Sequence, residues 1–319
     1  MSSSHPLNNF DFPIEITSDE LLLNDPHSDL ASARSKMQEG NVDRGLQYYQ
    51  EVIAAREEEY VIAVYNDLAH YRDEFHPVIA AMEARYVGIY QVALQNKKFS
   101  ILKEQINVGQ KNFFGIKKSR ELIKKLARNN CLLAMLYLAC DYVAAKQNQK
   151  AMCLYLEILA LALLPGQAIA RYFFNADELV KIVNEAQTYL TRIHNLSDYP
   201  SRCFARWASN YADKFFKMND LHDKHPAELI LEELKKFELP GFEEITLGRN
   251  QSSLADFYRL GRQQALGLPD DWFEQYIPKT KSLLASLSLF SSSEDHEQKI
   301  SAATSIPEWQ TMVDEVPKP

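Results

Sequence analysis

Two clusters of histidines and carboxylates have the residue types of a metal site. The first contains Asp67, His70, Asp73 and His76, and the second contains Asp220, His222, Asp223 and His225. On one helix the first four side chains spread over about 180°, so they cannot converge on a single ion. The second cluster stands before Pro226, where Asp223 or His225 can cap the N-terminus of a helix. We therefore expect no bound metal and no cofactor.

The common signatures of catalysis are missing from the sequence. It has no GxSxG, no HExxH and no Walker loop, and Gly261 and Gly267 bracket the wrong residues for phosphate binding. The cysteines have no CxxC spacing and lie in apolar helical patterns, which predicts reduced core thiols. They are Cys131, Cys140, Cys153 and Cys203. The sequence favours a protein without enzymatic activity. The alternative is a motif-free enzyme or secreted bacterial effector, with a site between two helical halves.

Positive charge is concentrated in the segment from Lys97 to Arg128. This segment holds ten lysines or arginines and only two acids, whereas the whole chain has a net charge of −8. Five of the cations lie along one predicted helix face: Lys117, Lys118, Lys124, Lys125 and Arg128. Such a face is either solvated or binds an acidic partner, for example an acidic protein segment or an anionic membrane surface. Nucleic acid is the least favoured partner, because the acidic remainder of the molecule repels phosphates.

The stretch from Asn130 to Pro165 is typical of two apolar helices joined by a polar turn. One face of the first helix consists of Met135, Leu138, Ala139 and Tyr142, and the opposite face of Leu133, Leu136, Cys140 and Val143. A helix that is apolar all round is buried in a core or lies in a membrane. Neither helix reaches the ~18 uninterrupted apolar residues that a membrane span needs. We therefore predict that this hairpin is the buried centre of a soluble helical protein.

The second face of the first helix needs a cover, because four apolar side chains in water form an unusually large patch. One candidate is the chain's own helices after Ala176, for example an aromatic stripe that consists of Phe204, Trp207, Tyr211 and Phe215. The competing candidate is the amphipathic helix of a partner protein. Effective concentration favours the intramolecular cover.

Composition and order along the chain predict an all-α protein. Only 10 glycines and few alternating β-branched runs argue against sheets. Residues 1–28 are an acidic arm without lysine or arginine, 29–166 a region of helical hairpins, 167–290 a C-terminal helical region and 291–319 a polar tail. The N-terminus has neither a basic stretch nor an apolar core, so we expect a cytoplasmic protein.

Small and aromatic residues recur at a fixed spacing within the hairpin region. Ala139, Ala151, Tyr155 and Ile158 repeat the spacing of Ala33, Gly45, Tyr49 and Val52, and Ala69 and Ala81 match it a third time. With Pro165 closing the unit, this pattern resembles a tetratricopeptide or Sel1-like repeat over about 29–166. The resemblance implies a concave surface that binds proteins or peptides and no catalytic residues. It therefore predicts an adaptor or scaffold subunit in a complex with other proteins.

Overall fold

The computed structural model describes residues 25–107, 113–193, 198–215, 224–237 and 253–272. These residues contain helices and no strand, which confirms the predicted all-α class. The helices are α1 (Pro26–Gln38), α2 (Val42–Ala54), α3 (Glu58–Tyr71), α4 (His76–Asn107), α5 (Phe113–Arg128), α6 (Leu132–Ala144), α7 (Asn148–Leu163), a 3₁₀ segment (Pro165–Arg171), α8 (Ala176–Arg192), α9 (Tyr199–Phe215), α10 (Pro226–Lys235) and α11 (Leu254–Leu266). Most of the acidic arm, all of the tail and the segment after Trp272 lie outside the described residues.

Small residues allow the two best-matched hairpins to pack closely. In the α1–α2 hairpin, Ala33 is fully buried, and a Cβ added to Gly45 would lie 2.6 Å from the Met37 sulfur. In the α6–α7 hairpin, Ala139 and Ala151 are fully buried in the same way. In these two hairpins the small residues therefore lie where the helices pack closely, because a larger side chain there would push the helices apart.

The third match of the spacing is wrong. Ala69 and Ala81 are both exposed, so they lie on no helix crossing. Helix α3 instead contributes Val61, Val64 and Leu68 to the core. A spacing rule cannot recognise this difference, because an alanine fits an exposed helical position as well as a crowded one.

Helix α4 is a single helix of 32 residues where the sequence predicts two, Val78 to Gln95 and Ser100 to about Asn112. The predicted break falls on residues that the core holds in place. Asn96 is buried and its side-chain amide donates to Glu58 Oε1 at 2.7 Å, while Phe99 is buried one turn further on. Neither glycine nor proline stands between them, so the helix continues.

Helix α7 is the centre of the fold. It packs against α6, α8, α9, α10 and α11, and every residue from Ala151 to Leu163 is buried. The buried Arg171 guanidinium donates to the carbonyl oxygens of Leu161 at 3.2 Å and Leu164 at 2.7 Å, which satisfies the end of the helix. Among the described helices, none alone has the length and apolarity of a membrane span. Helix α7 and the 3₁₀ segment together have the length and apolarity of a span, but the two are bent by 101° relative to each other.

Two hydrophobic clusters share the described residues. One runs from Leu30 to Ala93 and includes Tyr172, and the other runs from Phe99 to Trp272. The two clusters therefore meet within α4. The predicted boundary at Gly166 falls inside the second cluster, because α8 to α11 share the core of the α6–α7 hairpin.

Candidate functional site

Helix α11 covers α7 on the side of a buried glutamate. Glu157 interrupts the apolar run of α7, and its Oε1 accepts from Tyr258 Oη at 2.7 Å and from Arg262 Nε at 2.8 Å. The ion pair is 1% exposed on the acid and 4% on the base. A buried charge is tolerated when it is paired and hydrogen-bonded, so these contacts fix where α11 docks. Gly261 permits the close approach, since a Cβ there would lie 2.5 Å from Cys153 Sγ.

The remaining contacts around this ion pair also join the C-terminal helices to the core. The Arg262 guanidinium lies 4.6 Å from the centroid of the Trp272 ring. His225 is buried and caps α10 by accepting from the Ala227 amide at 3.1 Å through Nδ1. Burial and the nearby charge of Arg262 lower the pKa of His225 to about 3. These groups are packed core rather than an accessible site.

The aromatic stripe of α9 is core, as predicted, but it covers a different surface. Phe204 and Phe215 are fully buried, and Trp207 and Tyr211 nearly so. Helix α9 packs on α7, α8 and α11, and the Phe204 ring lies 5.1 Å from that of Phe257 in α11. The prediction that this stripe covers the second face of α6 is therefore wrong. We call that set, Leu133, Leu136, Cys140 and Val143, the α6 face. The stripe instead packs between α7, α8 and α11.

The α6 face is consequently only partly covered in the structure. Leu133, Leu136 and Val143 are half-buried and pack on the core from its edge, while Cys140 is exposed. Next to this face, Tyr137 contacts Phe99 of α4 with ring centroids 6.0 Å apart. The other side of α6, by contrast, includes Tyr142, whose hydroxyl donates to the Ala265 carbonyl oxygen of α11 at 2.5 Å. Within the described residues, one face of α6 is thus covered, and its opposite face is half-buried with Cys140 exposed.

A polar cluster borders the α6 face on the side of α8. Glu185 Oε1 accepts from Tyr155 Oη at 2.8 Å and from Cys140 Sγ at 3.3 Å, so α6, α7 and α8 meet at one carboxylate. We call Cys140, Tyr155 and Glu185 the Glu185 cluster. Beside it, the rings of Tyr155 and Tyr189 lie 4.9 Å apart between centroids. A surface recess of about 320 Å³ is lined by Tyr155, Asn184, Glu185, Thr188, Tyr189 and Arg192.

The chemistry of this cluster does not provide a nucleophile. Partial desolvation of the sulfur, with a further contribution from Glu185, raises the pKa of the Cys140 thiol despite the opposing contact with Tyr155. The pKa of Tyr155 is likewise raised, first by burial and then by its hydrogen bond to Glu185. A protonated thiol and a protonated phenol are hydrogen-bond donors at neutral pH, and the thiolate is the reactive form of cysteine. The arrangement suits recognition by hydrogen bonds and charge.

Some residues of the predicted basic face contact other parts of the chain, and others are exposed to solvent. Arg128 donates from Nε to the Leu266 carbonyl oxygen and from Nη2 to that of Gly267, both at 2.8 Å. It therefore caps the C-terminus of α11, where Gly267 adopts a φ of 64°. Lys124 pairs with Glu121 at 2.8 Å, and Lys125 is half-buried. Of the five predicted contact residues, Lys117 and Lys118 are the two classed as exposed.

The histidine–carboxylate clusters have structural roles where they are described. Asp67 forms a two-point ion pair with Arg34, at 2.7 and 3.1 Å, and accepts from Tyr49 Oη at 3.2 Å. Asp220, His222 and Asp223 lie outside the described residues, and His225 is a helix cap as proposed from the sequence. Within the residues that the structure covers, no three potential metal ligands come together.

The sequence pattern does not predict which residues contact Glu157 and Glu185. Glu157 was visible as an acid in an apolar run, but nothing in the pattern points to Arg262, which lies 105 residues further along the chain. Glu185 looks like one of several polar residues on an amphipathic helix. Only the fold brings Glu185 to Tyr155.

No protein-family model, curated protein or solved structure matches this chain.

Proposed function

We propose that this chain is a non-enzymatic adaptor or scaffold subunit that binds a partner protein through the α6 face. One observation carries the proposal. Helix α6 is apolar on two sides, and the described chain covers only one of them. Leu133, Leu136 and Val143 remain half-buried beside an exposed Cys140. A row of apolar residues at helical spacing is a common docking surface for an amphipathic helix.

Two further features support this function. The small residues at the helix crossings of the α1–α2 and α6–α7 hairpins agree with the tetratricopeptide-like pattern. Proteins with tetratricopeptide repeats generally bind other proteins. The four cysteines are free thiols, which is typical of a reducing compartment such as the cytoplasm. The raised pKa of Cys140 weighs against the alternative of a cysteine-dependent enzyme.

The proposal is tested by purifying the tagged full chain from its own cells. Leu136→Asp places a charge on the α6 face, and Val78→Asp is a matched control on a residue that is 45% exposed in α4. We expect a stoichiometric protein partner with the wild type and with Val78→Asp, and loss of that partner with Leu136→Asp. A partner that all three proteins retain equally, while all three remain folded, would contradict the role of this face.

An acidic partner bound by α5 is the second candidate, and exposed Lys117 and Lys118 favour it. Its contribution falls with salt, because exposed charges are screened over about 8 Å at physiological ionic strength. The double variant Lys117→Glu and Lys118→Glu should abolish binding of a poly-glutamate peptide at low salt and leave the partner of the α6 face bound. Unchanged binding of poly-glutamate would exclude this candidate.

A further inference from the structure

We infer that Glu185 is a preformed anchor for a basic side chain of the partner segment that docks on the α6 face. The inference rests on the proposed function, and it adds the chemistry of the partner. That partner is a protein segment that carries apolar residues for α6 and a lysine or arginine at the edge next to α8. The geometry of the Glu185 cluster, its charge and its aromatic neighbours each contribute to this conclusion.

The carboxylate is held in place by two other helices. Tyr155 of α7, itself only 2% exposed, donates to Glu185 Oε1 at 2.8 Å, and Cys140 of α6 donates to the same oxygen at 3.3 Å. An exposed glutamate normally loses rotamer freedom when it binds a partner, and that loss weakens the interaction. Here folding has already oriented the side chain. Both contacts use Oε1, so Oε2 can accept from a partner.

The charge of Glu185 is not neutralised by an ion pair among the described residues. The same helix carries Lys181 one turn before it and Arg192 seven residues after it. Arg192 lies two turns further on the same face of the helix and also lines the recess, so we place the partner's cation on the side of Glu185 that faces Cys140 and α6, away from Arg192. A basic partner therefore gains a charge-assisted hydrogen bond here, whereas an acidic partner would meet a fixed like charge.

The neighbouring rings favour the same kind of ligand. Tyr155 and Tyr189 are 4.9 Å apart and line the recess together with Glu185. The face of a tyrosine ring attracts ammonium and guanidinium groups, and arginine is the more frequent partner in such contacts. The recess of about 320 Å³ has room for such a head group at the end formed by Tyr155 and Glu185, and Arg192 lines it as well. The adjoining α6 face supplies apolar contacts for the rest of the segment.

The inference is tested with a phage-displayed library of random 16-residue peptides selected on the folded full chain. Peptides that also bind Leu136→Asp are removed. The retained peptides should be enriched in lysine or arginine at a fixed distance from their apolar positions. Each is then measured on Glu185→Gln, on Tyr155→Phe, and on Glu74→Gln, a control at an exposed glutamate between α3 and α4.

We expect Glu185→Gln to weaken binding by about fivefold to tenfold, Tyr155→Phe to weaken it less, and Glu74→Gln to leave it unchanged. Selection on Glu185→Lys should reverse the preference and enrich aspartate or glutamate. Peptides that depend on Leu136 but show no basic preference and bind Glu185→Gln equally would overturn the anchor and leave the proposed function standing. Failure to obtain any peptide that depends on Leu136 would contradict both.

Discussion

The two helices of the central hairpin have nearly the same apolar character and different surroundings. Helix α7 is buried on every side from Ala151 to Leu163, whereas α6 is covered on one face and half-open on the other. The difference arises because α8, α9, α10 and α11 all pack on α7, and the ion pair of Arg262 with Glu157 holds α11 there. An apolar helix surface therefore indicates only that a cover is needed. Whether the chain itself provides that cover depends on contacts far apart in sequence.

Equivalent charges in α7 and α6 should give the largest difference between the two helices. Leu156→Asp places an unpaired acid at a residue that is 0% exposed, and we expect a loss of about 3–5 kcal/mol of unfolding free energy. At half-buried Leu136 the same change should cost about 1 kcal/mol, because water reaches the site. Thermal melting of the two variants measures the difference. Equal losses would mean that the α6 face is as closed as α7.

The free energy of unfolding should depend on pH through His225, which is buried at the start of α10. The pKa of His225 is lowered from 6.5 to about 3 by burial and by Arg262, so the unfolded chain binds the proton more readily than the folded one. The resulting stability is present above about pH 6.5 and is lost as the pH falls towards 3. At pH 5 the loss is about 2 kcal/mol.

His225→Asn keeps a side chain that can cap α10 and removes this titration. The stability difference between the variant and the wild type should therefore shrink or reverse between pH 7 and pH 5, as measured by urea unfolding at each pH. Parallel pH profiles for the two proteins would show that His225 titrates normally, and that the α10 entry is open to water.

A smaller effect is expected at the contact between α5 and the end of α11. Arg128→Met removes two hydrogen bonds to carbonyl oxygens, and we expect a loss of about 1–2 kcal/mol. Lys117→Met, in the same helix but exposed, should change the unfolding free energy by less than about 0.5 kcal/mol. Chemical denaturation of both variants tests the contrast. Similar values for the two would remove Arg128 from its capping role.

Local sequence signals predicted much of this fold. Caps, prolines and glycines in the sequence predict a helix over Leu254 to Leu266, a helix that starts at Pro226 and a turn at Gly40. The structure has all three, and Gly40 has a φ of 75°. The continuity of α4 did not follow, because it depends on Asn96 reaching Glu58 in another helix. The sequence also does not predict where α11 packs on α7, since no local pattern identifies Glu157 and Arg262 as an ion pair.

The sequence predicts the apolar face of the candidate site, but it does not predict what covers that face or the contacts of Glu185. The apolar pattern identified Leu133, Leu136, Cys140 and Val143 as a separate face, and helix periodicity is enough for that. The pattern could not decide what covers the face, and the proposed aromatic stripe packs elsewhere. Glu185 becomes informative only when the fold places it beside Tyr155 and Cys140.

Among the described residues, α11 covers α7 and no helix fully covers the α6 face, and the native cysteines report this difference. Cys140 is exposed, whereas Cys153 of α7 is buried beneath α11 and Cys131 is also buried. The full chain with Cys203→Ser is treated with N-ethylmaleimide, and the modified fraction of each cysteine is read by mass spectrometry. We expect complete modification of Cys140 under conditions that leave Cys131 and Cys153 unmodified. Protection of Cys140, or modification of Cys153 at the same rate, would show that α6 and α7 are equally covered.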